Sequence, residues 1–273
     1  MIVKNNSKVI DFDIRSVNNN EIQQINIPDF AKTRVVSGAV KVNDDFYFAK
    51  PIDDYRMLVE LVGTKLSKII DLDTVDYKIG MWDGRLHALS KIFYKDNCDY
   101  SMVASEYRLR PINLIDKDFR KVFNNFYLCE TSVLNIINDN ELLENILKLI
   151  AIDLKMKQFD RHDNNVLLEK DEDGVIKLAP VFDYSLAYSS YRGIGLKNYY
   201  DCPFLIVKRN VISLKSLIRK YPNIYKYLLN LREINISDIV LEIEKENNVE
   251  FTDSEIRRIV DEDDHNNMLL KKL

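Results

Sequence analysis

Gln158–Tyr188, QFDRHDNNVLLEKDEDGVIKLAPVFDYSLAY, is the stretch around which the chain is organised. It opens on D-R-H-D-N-N, in which Asp160 and Asn165 stand five residues apart. An apolar run, Val166–Leu168, a charged turn, Glu169–Gly174, and a second apolar run, Val175–Leu178, follow before the stretch closes on Val181-Phe182-Asp183. That order predicts a loop, a strand, a tight turn, a returning strand and an acidic residue at its end. Such a hairpin can present Asp160, Asn165 and Asp183 to one side of one cleft. Two carboxylates and an amide suit Mg²⁺, which takes hard oxygen ligands and shares its shell with water and phosphate. Asp and Asn also make solvated, self-bonded turns. The apolar hairpin and the second aspartate lift this stretch above that plain reading.

Immediately upstream, Glu141–Lys157 (ELLENILKLIAIDLKMK) has Leu143, Ile146, Leu147, Ile150 and Leu154 at helical intervals, which predicts a rigid helix leading into the loop. Further upstream, Thr33–Lys50 (TRVVSGAVKVNDDFYFAK) predicts strands at Arg34–Val36, Ala39–Val42 and Phe46–Ala49, with turns at Ser37-Gly38 and Asn43-Asp44-Asp45. Ser37, Gly38 and Ala39 read equally as an ordinary hairpin turn or as a loop that covers a phosphate. The chain has seven glycines in all and one of them here, fewer than a full phosphate-binding loop carries. Pro51 ends the strand that carries Lys50.

Asp53–Leu72 predicts an amphipathic helix with Met57, Leu61, Val62, Leu66, Ile69 and Ile70 on its apolar stripe and Asp53-Asp54 as its cap. Glu60 falls mid-helix among apolar neighbours, where a carboxylate without a partner is costly. Asp76–Tyr94 predicts a hairpin turning at Asp83-Gly84, with Ser90–Phe93 in its last strand. Residues 1–24 look like one or two edge strands. From Asn97 onward the pattern becomes helical, and Tyr184–Phe204, aromatic and broken by glycine, reads as a mobile or substrate-facing segment. Helices are predicted at Ser213–Lys220, Ile224–Leu231, Ile236–Lys245 and Ser254–Asp261, the last opened by a Thr252-x-x-Glu255 capping box.

Composition narrows the class. With 273 residues, 46% apolar and 30% charged, the chain can bury a sizeable core without staples. A net charge of −4 offers no global attraction to nucleic acid or to an anionic membrane. Cys98, Cys129 and Cys202 are scattered and suit a reducing compartment. The polar N-terminus is no signal peptide, and no apolar run reaches membrane-spanning length. A cytoplasmic protein without a membrane span is expected. His87 and His265 have no partner pattern, and neither a zinc nor a serine-hydrolase constellation is present.

Taken in order, the Ser37-Gly38 turn, Ala49-Lys50, the E-L-V-G-T-K-L-S helix from Glu60, D-R-H-D-N-N and P-V-F-D resemble the HipA-like serine/threonine kinases. The D-R-H-x-x-N core is also similar to that of phosphatidylinositol 3- and 4-kinases. The resemblance runs from about Val36 to Phe204. It implies an α+β, bilobal protein-kinase-like fold, with a small β-rich N-lobe over residues 1–95 and a larger helical C-lobe over residues 96–273. ATP and Mg²⁺ are the cofactors that it implies. Position by position, Asp160 would orient and deprotonate an acceptor hydroxyl, and Asn165 and Asp183 would hold the metal. Lys50 would meet the nucleotide phosphates, aimed by Glu60. Ser37, Gly38 and Ala39 would cover the phosphates, and Ser90, Lys91, Ile92 and Phe93 would meet the adenine. His162 would either sit at the reacting phosphate or pack the loop, and Arg161 would tie the loop to acidic neighbours. The implied partner is a protein substrate with a Ser or Thr hydroxyl. A lipid or small-molecule acceptor and a catalytically inactive ATP-binding protein are the alternatives. The extra N-terminal subdomain of full-length HipA-like toxins is not expected here, which puts an antitoxin partner in doubt.

HipA-like kinases carry a modified loop serine, which singles out Ser37. A phosphate there adds about −1.5 to −2 charge where the phosphates of ATP would lie. Incubation with Mg-ATP is expected to add one phosphate at Ser37 and to slow further turnover, read by mass spectrometry of intact and digested protein. An active enzyme never modified at Ser37 removes the self-inhibition idea.

Overall fold

The computed structural model describes residues 2–3, 15–16, 27–28, 38–42, 44–82, 85–106, 134, 137–158, 161, 165–188, 205–207, 210–212 and 214–271. Among them, an α+β architecture of small antiparallel sheets and packed helices is formed. The first strands are β1 (Ile2–Val3), β2 (Arg15–Ser16), β3 (Ala39–Val42) and β4 (Asp45–Pro51). Helix α1 (Asp54–Ile69) follows, then the hairpin of β5 (Tyr77–Trp82) and β6 (Arg85–Lys91). These build an antiparallel sheet in the order β2-β3-β4-β6-β5. The hairpin register pairs Trp82 with Arg85, as a two-residue Asp-Gly connection requires; Asp83 and Gly84 themselves lie outside the described residues.

Helix α1 forms where expected, capped by Asp53, whose carboxylate accepts from the Arg56 amide at 2.8 Å. Its burial differs from the expectation. Rather than one stripe, most of its circumference is covered, including Leu58, Val59, Gly63 and Thr64, while Ile69 is half exposed. The helix lies between the sheet and later helices, so local periodicity alone could not foretell it.

Past residue 97 the chain first makes another strand, β7 (Asp99–Met102), and a single turn of helix, α2 (Val103–Glu106), rather than turning directly helical. β7 pairs with β8 (Leu167–Lys170), which pairs with β9 (Ile176–Leu178). Four residues are too few to display a period of two, and the partner strand lies far away in sequence. The long helix α3 (Asn140–Met156) is capped by Asp139 and closed by Lys157 in the left-handed conformation. After β10 (Leu205–Val207) and β11 (Asn210–Ile212) come α4 (Leu214–Lys220), α5 (Pro222–Arg232), α6 (Ile236–Asn247), β12 (Val249–Glu250) and α7 (Asp253–Leu270). Of the two strands formed where one or two N-terminal edge strands were expected, β2 joins the large sheet but β1 pairs with β12. The capping box is reciprocal: the Thr252 amide donates to Glu255 at 2.8 Å and the Glu255 amide to the Thr252 hydroxyl at 3.3 Å.

One buried cluster runs from α1 and the sheet residues Ile79 and Ala88 through α3 to α5, α6 and α7. Val40, Val42, Tyr47, Ala49 and Leu89 form a second cluster. Between α3 and α7 lies a buried polar knot. Lys155, wholly buried, donates to Asp263 and Asn267 at 2.9 Å each, and the Tyr188 hydroxyl donates to Asp263 at 2.7 Å. Burial pushes the Lys155 ammonium down and the Asp263 carboxyl up, and the mutual attraction and hydrogen bonds oppose both shifts. Asp263→Ala is expected to cost about 3–5 kcal/mol by urea unfolding, because it leaves a buried cation uncompensated. Asp76→Ala, which breaks the exposed Lys68–Asp76 pair, should cost less than about 1 kcal/mol. Equal effects would deny the knot its weight.

Candidate active site

Two neighbouring elements and one segment remote in sequence meet at one ammonium group. Lys50, near the end of β4, donates from Nζ to Glu60 Oε1 at 3.2 Å, to Asp183 Oδ1 at 2.7 Å and to Ser185 Oγ at 2.9 Å. Glu60 has no exposed surface. Its second oxygen accepts from the Tyr184 amide at 2.7 Å, so the carboxylate joins α1 to both the sheet and the Asp183 segment. Burial would lower the Lys50 ammonium, but the Glu60 and Asp183 carboxylates outweigh it and hold the group above its usual value. For Asp183, burial pushes up, and Lys50, Ser185 and Arg161 together pull it below the ordinary carboxylate range. Glu60 is raised, chiefly by burial.

Asp183 does not sit at the end of the hairpin strand. It follows an isolated parallel bridge between Thr74 and Val181, reinforced by the Val75 amide on Val181 O at 2.9 Å and the Val181 amide on Asp73 O at 3.0 Å. Its backbone is left-handed, with φ 65°, a conformation that Asp tolerates better than most residues. The Tyr77 hydroxyl receives the Asp183 amide at 3.3 Å, and Gln158 Nε2 donates to the Asp183 carbonyl at 2.8 Å. The carboxylate is thereby left facing Lys50.

Arg161, from the D-R-H run, is wholly buried. Its Nε and Nη2 grip Asp153 of α3 at 3.0–3.2 Å, and its Nη1 donates to Phe182 O at 2.7 Å and Asn165 O at 3.4 Å. One guanidinium thus ties the helix platform, the loop end at Asn165 and the residue before Asp183. Asn165 is buried, its Oδ1 included. Asp160, His162 and Ser37 lie outside the described residues.

Gly38 and Ala39 lie beside β4: a Cβ built on Gly38 would stand 2.8 Å from the Phe48 ring, and Ala39 is the first residue of β3, paired with Phe48. Ser90 Oγ reaches Phe48 O at 3.4 Å, and Lys91 pairs with Asp45 on the surface. Ile92 continues the sheet through its amide on Phe46 O at 2.9 Å. Phe93 enters an aromatic cluster with Tyr94, Tyr100 and Phe182, its centroid 6.1 Å from Phe182. This places the expected adenine-facing segment next to the residue that precedes Asp183.

Mg²⁺ asks for one or two carboxylates and leaves room for water and phosphate. Asp183, held ionised, and Asn165, on the same Arg161 clamp, fit that donor chemistry. Among the described residues no group of three His, Cys, Asp or Glu side chains could hold a metal ion by itself.

Several positioning residues escaped the sequence reading. Asp153 was legible only as a charge interrupting an apolar helix; a carboxylate there needs a cation, and Arg161 is eight residues on. Ser185 and Tyr184 carried no signal beyond following Asp183. The segment 184–188 is packed rather than mobile, with Tyr184, Ala187 and Tyr188 fully buried; residues 189–204 are outside the described ones.

Tyr184 sits directly on α1. A Cβ on Gly63 would stand 2.4 Å from Tyr184 Cγ, and the Tyr184 hydroxyl is 2.7 Å from Ser67 Oγ. Helix propensity alone would make Gly63→Ala stabilising by about 1 kcal/mol. Overpacking costs about 1–3 kcal/mol and should win, lowering the melting temperature. A variant that melts higher than the wild type would show that Tyr184 does not need this close seat.

No protein-family model and no curated protein sequence matches the chain. Solved structures do. A Helicobacter pylori proinflammatory kinase, CtkA, aligns with a TM-score of 0.56 at 14% identity, over 84% of this chain and 89% of that one. HipA of a Shewanella oneidensis toxin–antitoxin system, solved with HipB and operator DNA, aligns at 0.55 and 11% identity, over 96% of this chain and 72% of its own. The likeness to HipA-like kinases drawn from the sequence therefore holds at the level of the fold, and the chain has the fold of these two kinases.

Proposed function

We propose that the chain is an ATP- and Mg²⁺-dependent phosphotransferase, a HipA-like serine/threonine protein kinase able to phosphorylate itself. The observation that carries this reading is the meeting of Lys50, Glu60 and Asp183 at one ammonium, from positions 10 and 133 residues apart. A lysine aimed by a helix glutamate, beside an aspartate that follows a β-hairpin, is the arrangement by which kinases handle nucleotide phosphates and metal. The fold shared with CtkA and HipA supports it.

In this reading residues 1–95 form the smaller of two lobes and residues 96–273 the larger. Bound Mg-ATP supplies the transferable phosphoryl group and neutralises the charge that develops on it. Lys50 binds phosphate oxygens, and Glu60 keeps its ammonium from turning away. Asp183 and Asn165 hold the metal. Asp160 accepts the proton of the acceptor hydroxyl, with His162 the second catalytic candidate in the same loop. Arg161 keeps that loop in register with Asp183 by gripping Asp153 and Phe182 O. Gly38 and Ala39, with Ser37, cover the phosphates, and the backbone of Ser90–Phe93 receives the adenine beside the aromatic cluster. The acceptor is a protein hydroxyl, and no helix among the described residues is long and apolar enough to cross a membrane.

Incubation with radiolabelled ATP and Mg²⁺ should label the protein itself or a protein acceptor. Asp160→Asn keeps the shape but removes the proton acceptor, so turnover should fall by roughly 10²–10⁴ while ATP still binds. Asp183→Ala should lose Mg²⁺-dependent nucleotide binding. Transfer to lipid alone would redirect the reading to a lipid kinase, and no transfer to self, protein or lipid would leave an inactive ATP-binding protein.

A further inference from the structure

Building on the kinase reading, we propose that Ser185 is a positioning residue that makes the release of Lys50, and with it nucleotide binding, depend on the metal. An ammonium has three N–H donors. Those of Lys50 face Glu60 Oε1 at 3.2 Å, Asp183 Oδ1 at 2.7 Å and Ser185 Oγ at 2.9 Å, so each has a protein acceptor. The Ser185 hydroxyl does two things at once: it accepts from Lys50 and donates to Asp183 Oδ1 at 3.0 Å. Lys50, Asp183 and Ser185 thus close a ring of three hydrogen bonds. Ser185 is 6% exposed, so bulk water competes poorly for its place.

For Lys50 to meet a phosphate, at least one of the three acceptors must let go. Glu60 is the least free to do so, being buried and held from its other side by the Tyr184 amide. The partners that can yield are Asp183 and Ser185. Asp183 Oδ1 accepts from both Lys50 and Ser185, and it can turn that oxygen to a divalent cation only by weakening both bonds. Loading Asp183 through Oδ1 therefore frees an N–H of Lys50 and removes the acceptor that oriented the Ser185 hydroxyl. Without the metal the ring stays closed and phosphate meets an occupied lysine. Alanine or glycine at position 185 lacks the hydroxyl that accepts from Lys50 and donates to Asp183, and either leaves one N–H of Lys50 available from the start.

The experiment measures the affinity of the purified full chain for ATP, by calorimetry or a fluorescent ATP analogue, in EDTA and in Mg²⁺. Wild type should bind far more weakly in EDTA. Ser185→Ala and Ser185→Gly should each bind ATP in EDTA roughly tenfold more tightly than wild type, the value of a charge-assisted hydrogen bond of about 1.4 kcal/mol. Their affinities in Mg²⁺ should move much less, so the ratio between the two buffers shrinks. Thermal melts without ligand identify which of the two variants keeps its fold, and either one suffices. An unchanged ratio in a folded variant overturns the role of Ser185 and leaves the kinase reading intact. Wild type that binds ATP in neither buffer overturns both.

Discussion

A fully buried carboxylate, Glu60, sets the terms for the rest of the molecule. Removing an ion from water costs several kcal/mol even after relaxation. Here the cost is offset by one ammonium on one side and one backbone amide on the other. Each partner comes from a different part of the chain, so satisfying Glu60 requires the sheet, helix α1 and the segment after β9 to assemble together. Buried ion pairs are rarely a cheap route to stability, and a well-packed apolar trio would often serve as well.

Arg161 solves a second version of the same problem. It is wholly buried, yet its donors reach both oxygens of Asp153 and two backbone carbonyls, and its guanidinium lies 5.0 Å from the Tyr184 ring centroid. A lysine could not span those acceptors, since a point charge on a flexible stem lacks the planar fork. Helix α3 is thereby coupled rigidly to the Asp183 segment. The Lys155–Asp263–Tyr188 knot repeats the device two residues further along α3, drawing in the last helix, and the Tyr55 hydroxyl on Tyr188 O at 3.2 Å returns the connection to α1.

Much of this was legible where local pattern carries it. The spacing of Leu143, Ile146, Leu147, Ile150 and Leu154 marked α3 to within a residue at each end, and the Thr252–Glu255 box marked the start of α7. The isolated glutamate among apolar neighbours read either as a carboxylate in need of a partner or as one exposed at the helix rim, and its full burial decides for the first. What stayed hidden depends on partners distant in sequence. The pairing of Ile2–Val3 with Val249–Glu250 has no local signature, and neither does the strand at Asp99–Met102. Burial around nearly all of α1 depends on what packs against it, which periodicity does not encode. Tyr184 and Ser185 read as loop residues because turn chemistry and a packed aromatic share the same short spelling.

The left-handed backbone at Asp183 has a mechanical consequence. Its amide is fastened to Tyr77, its carbonyl to Gln158, and the bridge at Val181 holds the chain just before it. With every backbone handle taken, the carboxylate is the one part of the residue left to swivel. The site can therefore pass from one set of partners to another by rotation about side-chain bonds alone, like a latch turning on a fixed plate, while the fold around it keeps its shape.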